Sequence, residues 1–282
     1  MHIASAPADR LLLVALCWMT LGGPAAAEDD CSVAEVLVNS WVRMARSHSS
    51  ALPVTRATRS ELEFTTHDQM VLKGYSYAPP PGEGETVAKG FILLLQGSAS
   101  SAAQLAETAS GLALAARREV FVYEYRGYER DSTAHPTAAA IQKDIDGIVD
   151  RLSERARGGT VIGFSMGGIF AVQSLKRSKR SDLRALLDST PAQVPAIPFL
   201  LRCPRRMNPI DAATADIVRR LGVVYGEADG WSKDPPAQEL MEKVKAGGGR
   251  VWMVGGGHVD LSPSGLAARL PMYVEFVQGR FP

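Results

Sequence analysis

Apolar residues in this chain come in short runs, set between longer stretches where they recur every three or four positions. Residues 61–65 and 71–78 read as strands, and the polar His67-Asp68 turn between them makes an N-terminal hairpin. The segment Pro79-Pro80-Pro81-Gly82-Glu83-Gly84 cannot continue a ladder, because proline has no N–H to donate, and is expected to be an exposed loop. The unbroken run Phe91-Ile92-Leu93-Leu94-Leu95 predicts a strand buried on both faces. From there the signals alternate: helix over 102–117, strand 120–125, helix 137–157, strand 160–164, helix 166–176, strand 183–187. A proline-rich stretch, 191–209, interrupts the rhythm. It resumes with a helix over 212–220, strand 222–225, helix 236–246, strand 250–254 and a last helix over 264–278.

Strand and helix units of this length predict an α/β fold, a mostly parallel eight-stranded sheet with helices on both faces. Neither an internal repeat nor a linker divides the chain. Residues 61–282 are therefore expected to be one domain, with a small cap insertion at about 191–220, after the sixth strand. Residues 28–60 form an N-terminal helical segment, with a helix over 32–46.

The first residues have a different character. Arg10 precedes an apolar core at 11–19, a Gly23-Pro24 break follows, and Ala25-Ala26-Ala27 supplies the small residues that signal peptidase reads. A core this short falls well below the roughly 20 residues that span a bilayer. The expectation is a signal peptide over 1–27 and an exported, periplasmic or secreted chain with no stable membrane span. Cys17 superficially suggests a lipoprotein site, but Leu16 is too large for the position before such a cysteine. After cleavage only Cys31 and Cys203 remain. A disulfide between them would contribute roughly 4–5 kcal/mol on a chain-entropy argument; two unrelated thiols fit as well. No Cys/His spacing suggests zinc.

With 282 residues, 46% of them hydrophobic and 22% charged, the chain is long and apolar enough to bury a full core. Its 31 basic and 30 acidic residues leave a formal charge of +1, which supplies no field to gather nucleic acid or an anionic membrane. The basic cluster Lys176-Arg177-Ser178-Lys179-Arg180 falls at a predicted helix C-terminus, where the helix dipole favours cations. Arg202, Arg205 and Arg206 lie in the expected cap, where they could admit an anionic substrate, among Ile197, Phe199 and Leu200, which would line an acyl pocket or pack the cap.

Chemistry enters at Gly163-Phe164-Ser165-Met166-Gly167, a G-x-S-x-G pattern with a strand before it and a helix behind it. A serine on such a turn is thrust out of the sheet edge. The flanking glycines are required because a Cβ there would strike the neighbouring strand or helix. An unassisted serine is a poor nucleophile at neutral pH, so a base and a group to orient it must exist elsewhere. Of five histidines, His2 lies in the leader, His48 after the N-terminal helix, His67 in a turn and His135 before Pro136. His258 alone follows a buried strand, across Gly255-Gly256-Gly257, and is the expected base. Asp229, just past the seventh strand, is the expected acid; Glu227 beside it and Asp188 at the end of the sixth strand are the alternatives. Asp260 is too near His258 in sequence to reach its ring from behind, and reads as a solvated or helix-capping residue.

The order Ser165, Asp229, His258 resembles the α/β-hydrolase superfamily, over about 61–281. Within it, Val122-Tyr123-Glu124-Tyr125-Arg126-Gly127-Tyr128 is similar to the D-Y-R-G-Y-G segment of serine aminopeptidase-like and BEM46-like hydrolases, with Glu124 in place of their aspartate and Glu129 where a second glycine is usual. Those relatives end the third strand with His-Gly; here Gln96-Gly97-Ser98 stands in its place. The resemblance implies that the backbone N–H groups of Ser98 and Met166 form the oxyanion hole. It implies an exported serine hydrolase cleaving an acyl bond of a small molecule, a carboxylic ester first, with no metal or organic cofactor. A peptidase, thioesterase or acyltransferase would use the same residues, and a non-catalytic binding protein could keep the scaffold.

Overall fold

The computed structural model describes residues 55–80, 90–129, 132, 137–193 and 207–279. The leader, the N-terminal helical segment up to residue 54, both Cys31 and Cys203, and the centre of the cap insertion with its arginines lie outside the described residues.

The hairpin opens the domain: β1 (Thr58–Thr65) pairs antiparallel with β2 (Val71–Ala78), Thr58 opposite Ala78 and Thr65 opposite Val71. β1 begins three residues earlier than its apolar alternation indicates, because it is an edge strand with an exposed face. The apolar run becomes β3 (Phe91–Leu95), buried at every position. After a 3-10 turn at Ala102–Leu105 come α1 (Ala106–Ala116), β4 (Glu119–Tyr123), α2 (Ala138–Arg155), β5 (Gly159–Phe164), α3 (Met166–Arg177) and β6 (Leu183–Asp188). The later half adds α4 (Pro209–Ala212), α5 (Ala215–Val218), β7 (Leu221–Gly226), α6 (Pro235–Ala246), β8 (Arg250–Val254) and α7 (Pro263–Gln278).

Eight strands form one sheet in the order β1-β2-β4-β3-β5-β6-β7-β8. β2 runs antiparallel to both of its neighbours, and every pairing from β4 to β8 is parallel. Strand alternation divides the core. Phe91, Leu93 and Leu95 face a cluster with Ile141, Ile145 and Ile148 of α2 and Leu240 of α6, whereas Ile92 and Leu94 face Leu112 of α1 and Tyr273 and Phe276 of α7. Each such side chain removed from water contributes about 1.5–3 kcal/mol before entropy is counted. Truncating Leu93 or Leu94 to Ala would cost about 2–5 kcal/mol, since neither has a surface to collapse onto.

The helix expected over 212–220 is two single turns instead. Pro209 starts α4 early, at a position where its missing N–H costs nothing, and Ala213 then leaves helical geometry at φ −75°, ψ 68°. Thr214 opens the second turn, its hydroxyl donating to Asp216 Oδ1 at 2.6 Å. Ile210, Ala212, Ala213, Ile217 and Val218 are buried in the same core as α3 and α6, so the C-terminal flank of the expected cap belongs to the body of the domain. Among the described residues, no helix is long and apolar enough to cross a membrane.

Candidate active site

Ser165 sits between β5 and α3 with φ 50° and ψ −117°, a left-handed conformation that a side chain adopts only where its surroundings compel it. Close packing supplies the compulsion. A Cβ on Gly163 would come within 2.3 Å of the Gly167 carbonyl oxygen, and one on Gly167 within 2.3 Å of the Leu95 carbonyl oxygen. One on Gly168 would collide with Thr190. The strand, the turn and the helix can therefore approach only with glycine at these places. The Ser165 N–H donates to the Asp188 carbonyl at 2.8 Å, tying the turn to the end of β6.

Two loops bring partners to this serine. His258 Nε2 lies 3.1 Å from Ser165 Oγ, and His258 Nδ1 lies 3.1 Å from Asp229 Oδ2. The imidazole is 40% exposed and the Asp229 side chain 1%, so one face of the histidine is open while the carboxylate beside it is dry. Asp229 is locked by its own turn: Oδ1 accepts the Trp231 N–H at 3.0 Å, and the Asp229 carbonyl accepts the Ser232 hydroxyl at 2.7 Å. β7 and the histidine loop are stitched together by Glu227 N–H to the Val254 carbonyl and Ala228 N–H to the Gly256 carbonyl, at 2.8 and 3.0 Å.

The two alternative acids stand elsewhere. Glu227 is exposed. Asp188 is wholly buried and spends its oxygens on Arg269 Nε at 3.0 Å, the Ser189 hydroxyl at 2.9 Å and the Tyr273 hydroxyl in a short contact. Burial pushes its carboxyl up, against the opposing pull of Arg269 and the two hydroxyls. Asp260 accepts from the Ser262 N–H and hydroxyl, and Ser262 caps α7 by accepting the Gly265 N–H at 3.2 Å.

The loop after β3 passes directly beside the serine: a Cβ on Gly97 would lie 3.6 Å from that of Ser165. Ser98 follows in this loop, its carbonyl accepting the Tyr128 hydroxyl at 2.9 Å, and Met166 opens α3, whose N-terminus carries the positive end of the helix dipole. Gln96 is fully buried and donates its amide to Glu124 Oε2 at 2.9 Å. Arg126 of the same tyrosine-rich segment points away from the site. Its guanidinium grips Asp144 through two 2.6 Å contacts and Asp68 at 2.9 and 3.1 Å, and holds the Asp68 carboxyl well below the usual carboxylate range. His67, Asp68 and Asp144 are the one group of described residues close enough to hold a metal ion, but both carboxylates are already engaged by the Arg126 guanidinium.

Residues missed by sequence reading are those behind the loops: Ser189, Arg269 and Tyr273. Arg269 is a cation on the inward stripe Gly265, Arg269, Tyr273 of α7, a spacing of four that places it in the core and demands a buried partner.

A family model described as the alpha/beta hydrolase family matches residues 92–274. No curated protein matches the chain in sequence. Solved structures do. An esterase from Pyrococcus furiosus is 19% identical with a TM-score of 0.61, over 79% of this chain and 91% of that one. A thermophilic carboxylesterase cloned from a metagenomic library is 13% identical with a TM-score of 0.62, over 91% and 99%. A fungal esterase from Rhizomucor miehei is 17% identical with a TM-score of 0.60, over 99% and 97%. At these identities the likeness is one of fold. The strand order, the glycine-walled turn at Ser165 and the matched span together make the chain a member of the alpha/beta hydrolase family.

Proposed function

We propose that this chain is an exported serine hydrolase that cleaves carboxylic esters of small molecules. The observation that carries the reading is the continuous line of contacts from Asp229 through His258 to Ser165, each link 3.1 Å long and each residue on a different loop of one sheet edge. Ser165 Oγ attacks the carbonyl carbon while His258 Nε2 takes its proton. Asp229 holds the imidazole with Nδ1–H toward itself and stabilises the imidazolium. The Ser98 and Met166 amides receive the developing oxyanion, beside the N-terminus of α3. His258 returns the proton to the leaving alkoxide as the acyl-enzyme forms; water, deprotonated in turn by His258, then releases the acid. Esters are favoured over amides because an ester carbonyl, less stabilised by resonance than an amide, is attacked more readily, and because structural neighbours carry the names esterase and carboxylesterase.

Labelling by a fluorophosphonate probe tests this directly: the adduct maps to Ser165 and is absent in Ser165→Ala. In that variant, hydrolysis of short-chain nitrophenyl esters falls by several orders of magnitude, about 10⁶ if it follows measured serine triads, while the fold stays intact. Retained hydrolysis in Ser165→Ala overturns the reading. A panel of aminoacyl amides beside acyl esters of rising chain length decides between ester and peptide substrates. Export is tested by sequencing the mature N-terminus, which should begin at Glu28.

A further inference from the structure

The histidine loop is soft by composition. Gly255, Gly256 and Gly257 precede His258, and a Cβ at either Gly255 or Gly257 would meet nothing within 4 Å, so side-chain packing does not hold the backbone there. Yet Val259, next in line, is a β-branched residue at φ 43°, a conformation it keeps only under external restraint.

The restraint comes from the buried group behind the loop. Arg269 Nη2 donates to the Gly257 carbonyl at 3.0 Å, and Ser189 Oγ accepts the Val259 N–H at 3.2 Å, so the peptide groups on both sides of His258 are held. These two side chains, each fully buried, converge on Asp188: Arg269 Nε donates to Oδ2 at 3.0 Å and the Ser189 hydroxyl to Oδ1 at 2.9 Å. Ser189 is itself fixed at φ 52°, its N–H donating to the Val224 carbonyl at 2.8 Å. The Asp188 carbonyl, in turn, accepts the Ser165 N–H. One residue pair at the end of β6 thus anchors the backbone of both the serine and the histidine.

We propose that Ser189 and Arg269 are positioning residues for His258, a clamp on its two flanking peptides that holds the imidazole within reach of Ser165. The proposal rests on the reading of Ser165 and His258 given above. Neither residue touches substrate; both act through the loop. Since a misplacement of about 1 Å can cost on the order of 10²-fold in rate, loss of the clamp should appear in turnover rather than in substrate affinity.

The test compares the wild-type chain with Ser189→Ala, Ser189→Gly and Arg269→Lys, following fluorophosphonate labelling of Ser165, kcat and KM on a short-chain nitrophenyl ester, and amide exchange at Val259. Both Ser189 variants remove the hydroxyl, and the glycine also relieves the left-handed backbone. Expected is a fall of about 10–10²-fold in labelling rate and kcat in both, KM within about twofold of wild type, and faster exchange at Val259. Arg269→Lys keeps a cation beside Asp188 but cannot reach that carboxylate and the Gly257 carbonyl together, and should slow turnover in the same direction. Should Arg269→Lys fail to fold, the Ser189 variants decide alone. Wild-type kcat in both Ser189 variants, with Ser165 still labelled, overturns the clamp and leaves the nucleophile standing. A wild-type chain that resists labelling overturns the Ser165 assignment and the clamp with it.

Discussion

The Gln96 side-chain amide donates to the Glu124 carboxylate across 2.9 Å, immediately beneath the loop that runs past Ser165. Each residue alone departs from the pattern of the hydrolases that the sequence resembles, glutamine for histidine and glutamate for aspartate. Together they form a matched pair, an N–H donor on one strand end facing a carboxylate on the next. Glu124 also accepts the Ala102 N–H at 2.7 Å, while the Tyr125 hydroxyl donates to the Gln96 carbonyl and the Tyr128 hydroxyl to the Ser98 carbonyl, both at 2.9 Å. The loop bearing Ser98 is therefore bolted at both ends, which is the order a preorganised oxyanion site requires.

Glu124 makes stability depend on pH. Although the residue keeps some surface exposure, burial of its carboxyl raises the pKa from its usual 4.5 to about 7, against the lowering effect of the Ala102 and Gln96 donors. Between those two values the folded chain holds a proton that the unfolded chain has released, so this group favours the fold fully below pH 4.5 and loses that contribution as pH rises through 7. The effect amounts to at most about 3 kcal/mol, less where solvent screens the carboxyl. Urea midpoints measured from pH 5 to 8 should fall across this window. In Glu124→Gln the fall should flatten, because an amide does not titrate, and the new N–H can donate to Gln96 Oε1, a buried acceptor with no partner among the described residues.

Asp229 and Asp188 differ in what their loss costs the fold, because only Asp188 is the counter-ion of a buried guanidinium. In Asp229→Asn the side chain still accepts the Trp231 N–H but presents an amide to His258 Nδ1, which favours the wrong tautomer. Turnover should drop by about 10⁴-fold with little change in melting temperature, as when a triad acid becomes its amide. Asp188→Asn leaves the Arg269 charge buried without its counter-ion and should cost about 3–5 kcal/mol of folding free energy. Glu227→Gln, at an exposed position, should do neither. Paired kcat and thermal-melt measurements on the three variants check the assignment of the acid.

Much of this was legible in sequence because the deciding interactions are local. The turn at Ser165 needs glycine at 163 and 167 within a few residues of itself, and the run from Phe91 to Leu95 has one way to be buried. That Asp229 and His258 meet could be read in advance because parallel strands end on one edge and loops from neighbouring ends come together there. The clamp on the histidine loop was not legible: Asp188 and Arg269 lie 81 residues apart, and nothing near either one names the other. The cation on the buried stripe of α7 signalled only that some partner existed. Gln96 and Glu124 read as two separate departures until the strand order placed β3 beside β4. The break at Ala213 was hidden because helix propensity over 212–220 is ordinary, and packing against α6 decides the local geometry.

Gly226 ends β7 where the histidine loop crosses closest, and a Cβ there would lie 2.4 Å from the Gly256 carbonyl oxygen and 2.5 Å from that of Gly257. Both atoms are backbone, so they cannot rotate aside; the loop itself must move. The Gly257 carbonyl is also the acceptor for Arg269, one residue before His258. Gly226→Ala should therefore push the imidazole off its line to Ser165, lowering kcat by about 10²-fold for a displacement near 1 Å. The stability cost should stay at about 1–3 kcal/mol, the range for overpacking a site whose neighbours can shift. Ester hydrolysis at saturating substrate, set beside the urea midpoint of the same variant, checks the prediction. A variant destabilised by that much yet turning over at the wild-type rate would mean that the loop yields without carrying His258 with it.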